Sequence, residues 1–264
     1  MVKKNRTFLV TIFRLLIGPF GKDYLKILGF FFFKYVPISY ARGTLVNIAS
    51  EIDNHIPERP VVKQYLDIFY FPFVLISEAT TTHRTNLKLQ EDIRRATLIL
   101  EKIYLETCDI YKIKQSTLGR KPATHLSVKI LHFFDQNRNC YPSLHAQILA
   151  EIYNAFLNYD NVIPKQELIK RIASILEACL LTKQHSINDI ASGLAGVTIL
   201  DPRFLRERAE ELLSHVFLHQ QYGMNLELCN TIRNNMVTLY RRLLDSSSTK
   251  SYREILLPFE ALSN

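Results

Sequence analysis

The chain has 264 residues, 47% of them hydrophobic, with 33 Lys and Arg against 25 Asp and Glu and a formal net charge of +8. That apolar fraction is ample for a core and excludes a disordered-type composition, and the length fits one large domain or one domain with extensions. The basic balance, with an isoelectric point near 9.3, favours acidic partners: phosphorylated substrates, anionic lipid surfaces or nucleic acid.

Only 8 Gly and 10 Pro, long stretches without breakers and few alternating runs predict an all-α protein. The start, Met1-Val-Lys-Lys-Asn-Arg6 followed by Thr7 to Phe13, superficially resembles a signal peptide. Arg14 splits its apolar region and no small-residue cleavage site follows. The next apolar block, Ile27 to Phe33, is flanked closely by Lys26 and Lys34. Residues 1–50 are therefore read as amphipathic helices with basic flanks, lying on a membrane or against the core. A spanning helix needs roughly twenty mostly apolar residues, and no stretch that long is free of charge here. A cytoplasmic or membrane-peripheral location is favoured over an integral one.

Further along, Glu78 to Tyr111 reads as a polar loop, including Thr80 to Arg84, and then a helix. Its stripe is Leu89, Ile93, Ala96, Thr97, Leu100 and Ile103. Lys165 to Leu181 is a second amphipathic helix, with Leu168, Ile172, Ile175, Leu176 and Cys179 on one face, and Asn161 to Pro164 breaks the chain before it. Pro202 to His219 is predicted as a charged helix, and another runs from Gly223 towards Arg242. His215 and His219, four apart, are taken as helix-surface residues rather than metal ligands. The four cysteines, Cys108, Cys140, Cys179 and Cys229, show no CxxC spacing and read as reduced thiols or packing residues.

Two pieces carry the chemistry. In the first, Pro142 and Ser143 mark a helix start, with His145 just inside it and helical periodicity from Ala146 to Leu157. A helix N-terminus carrying a hydroxyl is a ready site for a phosphate oxygen. In the second, Ile187, Ile190, Leu194 and Val197 predict a helix that places His185 and Asp189 one turn apart on one face. The carboxylate can then fix one imidazole nitrogen so that the other presents a free lone pair. Two histidines with one carboxylate suit phosphoryl transfer through a covalent intermediate: one attacks phosphorus and the other, protonated, supplies a proton to the leaving oxygen.

These residues resemble the type-2 phosphatidic acid phosphatase and vanadium haloperoxidase superfamily, whose signature runs KxxxxxxRP, PSGH and SRxxxxxHxxxD. The second motif is similar to Pro142-Ser143-Leu144-His145, preceded by Asp135 and Asn139 as in the branch that contains inositol phosphorylceramide synthase. The third is similar to Thr182 to Asp189, followed by the small residues Ala191, Ser192, Gly193 and Ala195. The first fits Lys114 to Pro122 with Lys121 where the family has Arg. Upstream, Ile52 to Pro60 followed by Tyr65 resembles the segment that opens bacterial members. The Ser-Arg pair of the third motif falls on Ala178 and Cys179, so one phosphate-binding arginine is missing; Lys183, Lys121, Arg120 or Arg138 would supply charge in its place.

The resemblance implies a helical bundle divided into an N-terminal segment 1–50, a phosphatase-like core 51–200 and a C-terminal helical extension 201–264. It implies a phosphomonoesterase with His185 as nucleophile, Asp189 as its orienter and His145 as general acid. Ser143, Lys114, Lys121, Arg120 and Lys183 would steady the phosphoryl oxygens, with no metal or other cofactor. The substrate would be a phosphorylated small molecule or lipid, with peripheral contact to an anionic membrane and no nucleic acid. The alternatives are a phosphoalcohol transferase resembling inositol phosphorylceramide synthase, a catalytically degenerate adaptor and, third, a haloperoxidase.

Overall fold

The computed structural model describes residues 21–40, 45–113, 115–118, 122–135, 141–220, 222–245 and 252, and these are mostly helical. Helix α1 (Gly21–Phe30) passes through a π-helical turn, Phe31–Tyr35, into α2 (Val36–Tyr40). Helices α3 (Val62–Thr82) and α4 (Leu87–Ile113) follow, then α5 (Leu126–Phe134) and α6 (Leu144–Phe156). After the break at Asn161–Pro164 come α7 (Lys165–Leu181), α8 (Ile187–Leu200), α9 (Arg206–His215) and α10 (Leu226–Asp245).

Helices α6 and α8 are the innermost pair. Nearly every residue of both is buried, including the polar Gln147 and Glu151 of α6 and Asn188 and Asp189 of α8. The small residues of α8 let it approach the start of α6 closely. A Cβ on Gly193 would lie 2.7 Å from the Ser143 carbonyl oxygen and 2.9 Å from Ala146 Cβ. Around this pair, α4 packs along α6, α10 along α8, and α7 against α3, α6 and α9. The core stripe of α4 is the one its periodicity predicts, from Leu89 to Ile103. From α10, Cys229, Ile232, Met236 and Tyr240 enter the same core, so the C-terminal extension is part of one continuous apolar interior. Each such buried side chain contributes about 1.5–3 kcal/mol. Tyr252 closes the far side, its hydroxyl donating to Gln147 Oε1 at 2.7 Å and lying 2.9 Å from Thr107 Oγ1.

The N-terminal helices dock on α4. Ile27 joins the core, Lys26 pairs with Glu101 at 2.5 Å, and the Tyr35 ring meets Tyr111 edge-on. Phe32 and Phe33 face outward, 58% and 84% exposed. Among the described residues no helix is long and apolar enough to cross a membrane.

Two sequence expectations are corrected. Thr80 to Thr82 belong to α3 rather than to a loop. Their hydroxyls bond back along the helix, Thr80 to Ile76 O at 2.8 Å and Thr81 to Ser77 O at 2.7 Å, so they do not compete with the backbone ladder. The helix expected over Pro202–His219 spans only Arg206–His215. Asp201 holds the preceding turn by accepting from Arg203 N at 3.1 Å. Beyond His215, Phe217 takes a positive φ of 55° and its N–H donates to the buried Glu177 at 2.7 Å. His219 therefore lies past the helix end and does not share a helix face with His215. The fold is otherwise helical as expected, with one short parallel pair, β1 (Leu45–Asn47) beside β2 (Gln115–Thr117), in register Leu45 with Gln115. Strands of three residues are too short for an alternation signal.

Candidate active site

Two helix starts face each other. Ser143 is the N-cap of α6, its Oγ accepting from Ala146 N at 3.2 Å. Ser186 caps α8 in a reciprocal box: its Oγ accepts from Asp189 N at 3.1 Å, and Asp189 Oδ2 accepts from Ser186 N at 2.8 Å. The two starts are tied together by Ser143 N, which donates to the Asp189 carbonyl at 3.0 Å. This places His145, in the first turn of α6, against His185, the residue before the α8 cap. His145 Nδ1 and His185 Nε2 are 2.8 Å apart, with ring centroids 5.0 Å apart and planes at 83°.

His185 and Asp189 meet as expected but by a different geometry. The helix begins at Ile187, so His185 lies outside it, and Asp189 reaches back as the third residue of the capping box. Because Asp189 Oδ2 also serves Ser186 N, its contact with His185 Nδ1 is long, 3.4 Å. Asp189 Oδ1 is buried with no hydrogen-bond partner among the described residues. With the proton of His185 on Nδ1, its Nε2 offers a lone pair, and His145 Nδ1–H donates into it. Burial pushes the Asp189 carboxyl above the usual range, with the His185 hydrogen bond and charge opposing. Burial also holds His145 well below the ordinary imidazole range, and a charge on His185 lowers it further.

Aromatic walls fix the His145 ring. Tyr65 and Phe69 present themselves edge-on, at 5.4 Å and 87° and at 6.0 Å and 89°. The Tyr65 hydroxyl in turn donates to Asp135 Oδ2. His185 lines a cavity of ≈ 330 Å³ of mixed character, in which Lys183, Asp53, Glu58 and Thr124 face Ile56, Leu118 and Leu180. Phe69 also lines an apolar cavity of ≈ 320 Å³, built with Phe31, Leu100 and Ile152.

Lys183 reaches the cavity beside His185 but is engaged there. Its Nζ donates to the carbonyls of Asp53 at 2.8 Å and Ile56 at 2.5 Å, and burial lowers its pKa against the pull of Asp53 and Glu58. Ser143 is fully buried, and its oxygen serves the α6 cap. Lys114, Arg120 and Lys121 lie outside the described residues, as does Arg138. At the positions of the missing Ser-Arg pair, the backbone does the shaping. The Cys179 carbonyl accepts from Gln184 N at 3.0 Å and His185 N at 3.2 Å, and the Ala178 carbonyl accepts from Thr182 N at 2.9 Å.

Sequence reasoning missed the role of Asp53. Its Oδ1 accepts from Ile187 N at 3.0 Å, and its Oδ2 accepts from Ser50 N and Ser50 Oγ, each at 2.8 Å. It thereby pins the start of α8 to the segment before α3. It also missed Glu58, whose Oε1 gathers Thr124 N at 2.9 Å, Thr124 Oγ1 at 2.8 Å and His125 N at 3.2 Å on the cavity rim. The available signal lay in the stretch Ile52 to Tyr65, where Asp53 and Glu58 both fall.

Compared with protein-family models, curated proteins and solved structures, the chain matches none of them.

Proposed function

We propose that the protein is a phosphatase acting through a phosphohistidine at His185, in the manner of the type-2 phosphatidic acid phosphatases its motifs resemble. The observation that carries the reading is the buried line Asp189, His185, His145, with steps of 3.4 and 2.8 Å, whose His185 lines a cavity that also holds Lys183. In this reading Asp189 holds the proton of His185 on Nδ1. His185 Nε2 forms a bond to phosphorus as the ester P–O bond breaks, and His145 gives its proton to the departing alcohol oxygen. Water then attacks phosphorus as His145 takes one of its protons, the N–P bond breaks, and inorganic phosphate leaves.

In-line displacement puts the leaving oxygen on the far side of phosphorus from the nucleophile. His145 Nδ1 must therefore withdraw from its 2.8 Å contact as the phosphoryl group enters. The same entry brings negative charge beside an imidazole that burial keeps neutral, which favours the protonated acid the second role needs. Charge on the phosphoryl oxygens would be met by the basic residues of the first motif, since the helix-start N–H groups of Ala146, Ile187 and Asp189 already serve Ser143, Asp53 and Ser186.

A phosphorylated small molecule or lipid is the substrate class. Phe32 and Phe33 project outward from helices that also carry Lys26 and Lys34, a pattern suited to peripheral contact with an anionic membrane. A second reading, a phosphoalcohol transferase, is favoured by the apolar cavity that shares Phe69 with the site. There a second alcohol would take the place of water.

Phosphate release from several phosphomonoesters and phosphatidic acid, with EDTA present, tests the proposal. The wild type should turn over at least one of them, and His185→Ala should lose at least about a thousandfold. A folded wild type inert towards all of them, or a variant as active as the wild type, would overturn it.

A further inference from the structure

The helix pair that carries the histidines at its N-terminal ends builds a second cleft at its C-terminal ends. From His145 to Asn154 along α6 is nine residues, about 14 Å of helix. There, a cleft of ≈ 420 Å³ opens among α4, α6, the turn after α8 and the start of α9. Four basic side chains, Lys88, Arg95, Arg203 and Arg208, line it against two carboxyls, Asp92 and Glu151. That volume is in the range of small-molecule sites.

Its donors are held in place yet only partly used. Arg95 Nη2 is anchored on the fully buried Asp201 at 2.5 Å, while Arg95 Nε is buried with no hydrogen-bond partner among the described residues. Arg203 Nη1 pairs with Asp92 at 3.1 Å, and Arg208 Nη1 bonds Asn154 Oδ1 and, at 3.0 Å, the Arg203 carbonyl. Each guanidinium has five N–H groups, so both arginines retain donors for a ligand. Glu151 is 2% exposed, and its Oε2 has no partner among the described residues. The N-cap of α9, Leu205, also lines the cleft and offers no side-chain cap to the first-turn N–H groups. The cleft is open to solvent on the side of Lys88 and Arg203, closed at its floor by Glu151 and net-positive in its lining, and a phosphoryl group supplies three acceptor oxygens to its donors.

We propose that this cleft is a second binding site, taking the phosphoryl group of a small molecule on Arg95 Nε, Arg203 and Arg208, with Glu151 donating a further hydrogen bond. Burial beside Asp201 pushes the Glu151 carboxyl up to about 8, against the opposing charges of Arg95 and Arg203. Asp92 and Lys88 on α4 and Arg208 on α9 are the other charged groups around the cleft. Glu151 is thus protonated and able to donate at neutral pH, and becomes an acceptor that repels the ligand as pH rises past about 8. Binding should weaken over that interval.

Calorimetric titration with inorganic phosphate and with pyrophosphate, in a His185→Ala background that removes turnover at the other site, tests the assignment. Exposed Arg203→Ala should weaken binding about tenfold or more. The near-isosteric Glu151→Gln should bind at pH 7 much as Glu151 does and keep its affinity at pH 9, where Glu151 loses it; comparing the two at each pH cancels the ionisation of the probe. No binding at millimolar probe, an Arg203→Ala affinity equal to that of the parent, or the same pH dependence in both Glu151 forms would overturn the site. Equal affinity for a dicarboxylate such as malonate would overturn its assignment to phosphoryl groups.

Discussion

The close approach at Gly193 is the device that brings the two histidines together, and Gly193→Ala tests it. The added Cβ would sit 2.7 Å from Ser143 O and 2.9 Å from Ala146 Cβ, where 3.4 Å begins ordinary contact. One helix start must therefore yield by roughly 0.7 Å, and the obstacles are backbone and a Cβ rather than the tip of a flexible side chain. Overpacking of this kind costs about 1–3 kcal/mol. The rigid obstacles place Gly193 in the upper part of that range, and helix propensity returns about 1 kcal/mol for Ala over Gly. The net loss is about 1–2 kcal/mol, read as a fall in Tm of about 2–8 °C. Because Ser143 O belongs to the residue that caps α6, its shift carries His145 with it, and turnover should fall by tenfold or more. Gly29→Ala in α1 is the control: among the described residues nothing lies within 4 Å of its Cβ, so Tm should hold or rise. A Gly193→Ala protein as stable as the control, with unchanged turnover, would refute the reasoning.

Asp189→Asn removes the charge that holds the His185 tautomer, and kcat should fall about 10²–10⁴-fold with a smaller change in KM; an unchanged kcat would separate Asp189 from the chemistry. Glu177 is 4% exposed, and burial pushes its carboxyl up to about 7, while hydrogen bonds from Phe217 N and Tyr222 oppose the shift. The folded state therefore holds a proton the unfolded chain releases near 4.5, and its contribution to stability is present below pH 4.5 and lost as pH rises to 7. Glu177→Gln should match the wild type at pH 5 and exceed it at pH 8 by about 2–3 kcal/mol in chemical denaturation, a gap that a constant difference across pH would contradict. Replacing Phe33, 84% exposed, by Ser should weaken flotation with anionic vesicles and leave Tm unchanged; equal flotation would remove this ring from the membrane reading.

The helices were legible where one face is apolar over several turns. The stripe of α4 and that of α7 both fall in the core. The meeting of His145, His185 and Asp189 was legible for another reason, because a helix start beside each histidine limits where its ring can go. Other parts depend on partners far along the chain. Asp53 acts on Ile187, 134 residues away, and nothing local to either residue marks the bond. The capping box replaced an expected helix-face pair because a Ser followed three residues later by an acid offers the backbone a stronger local bond. The cleft around Glu151 draws on charges from several elements, and each of those charges reads as part of a solvated face when its own helix is taken alone.

The most direct test of the central claim is rapid quenching during turnover of a labelled phosphomonoester, followed by mapping of acid-labile, base-stable label. The account predicts phosphate on His185 in the wild type and none in His185→Ala. Turnover without a covalent intermediate, or label on any other residue, would contradict it.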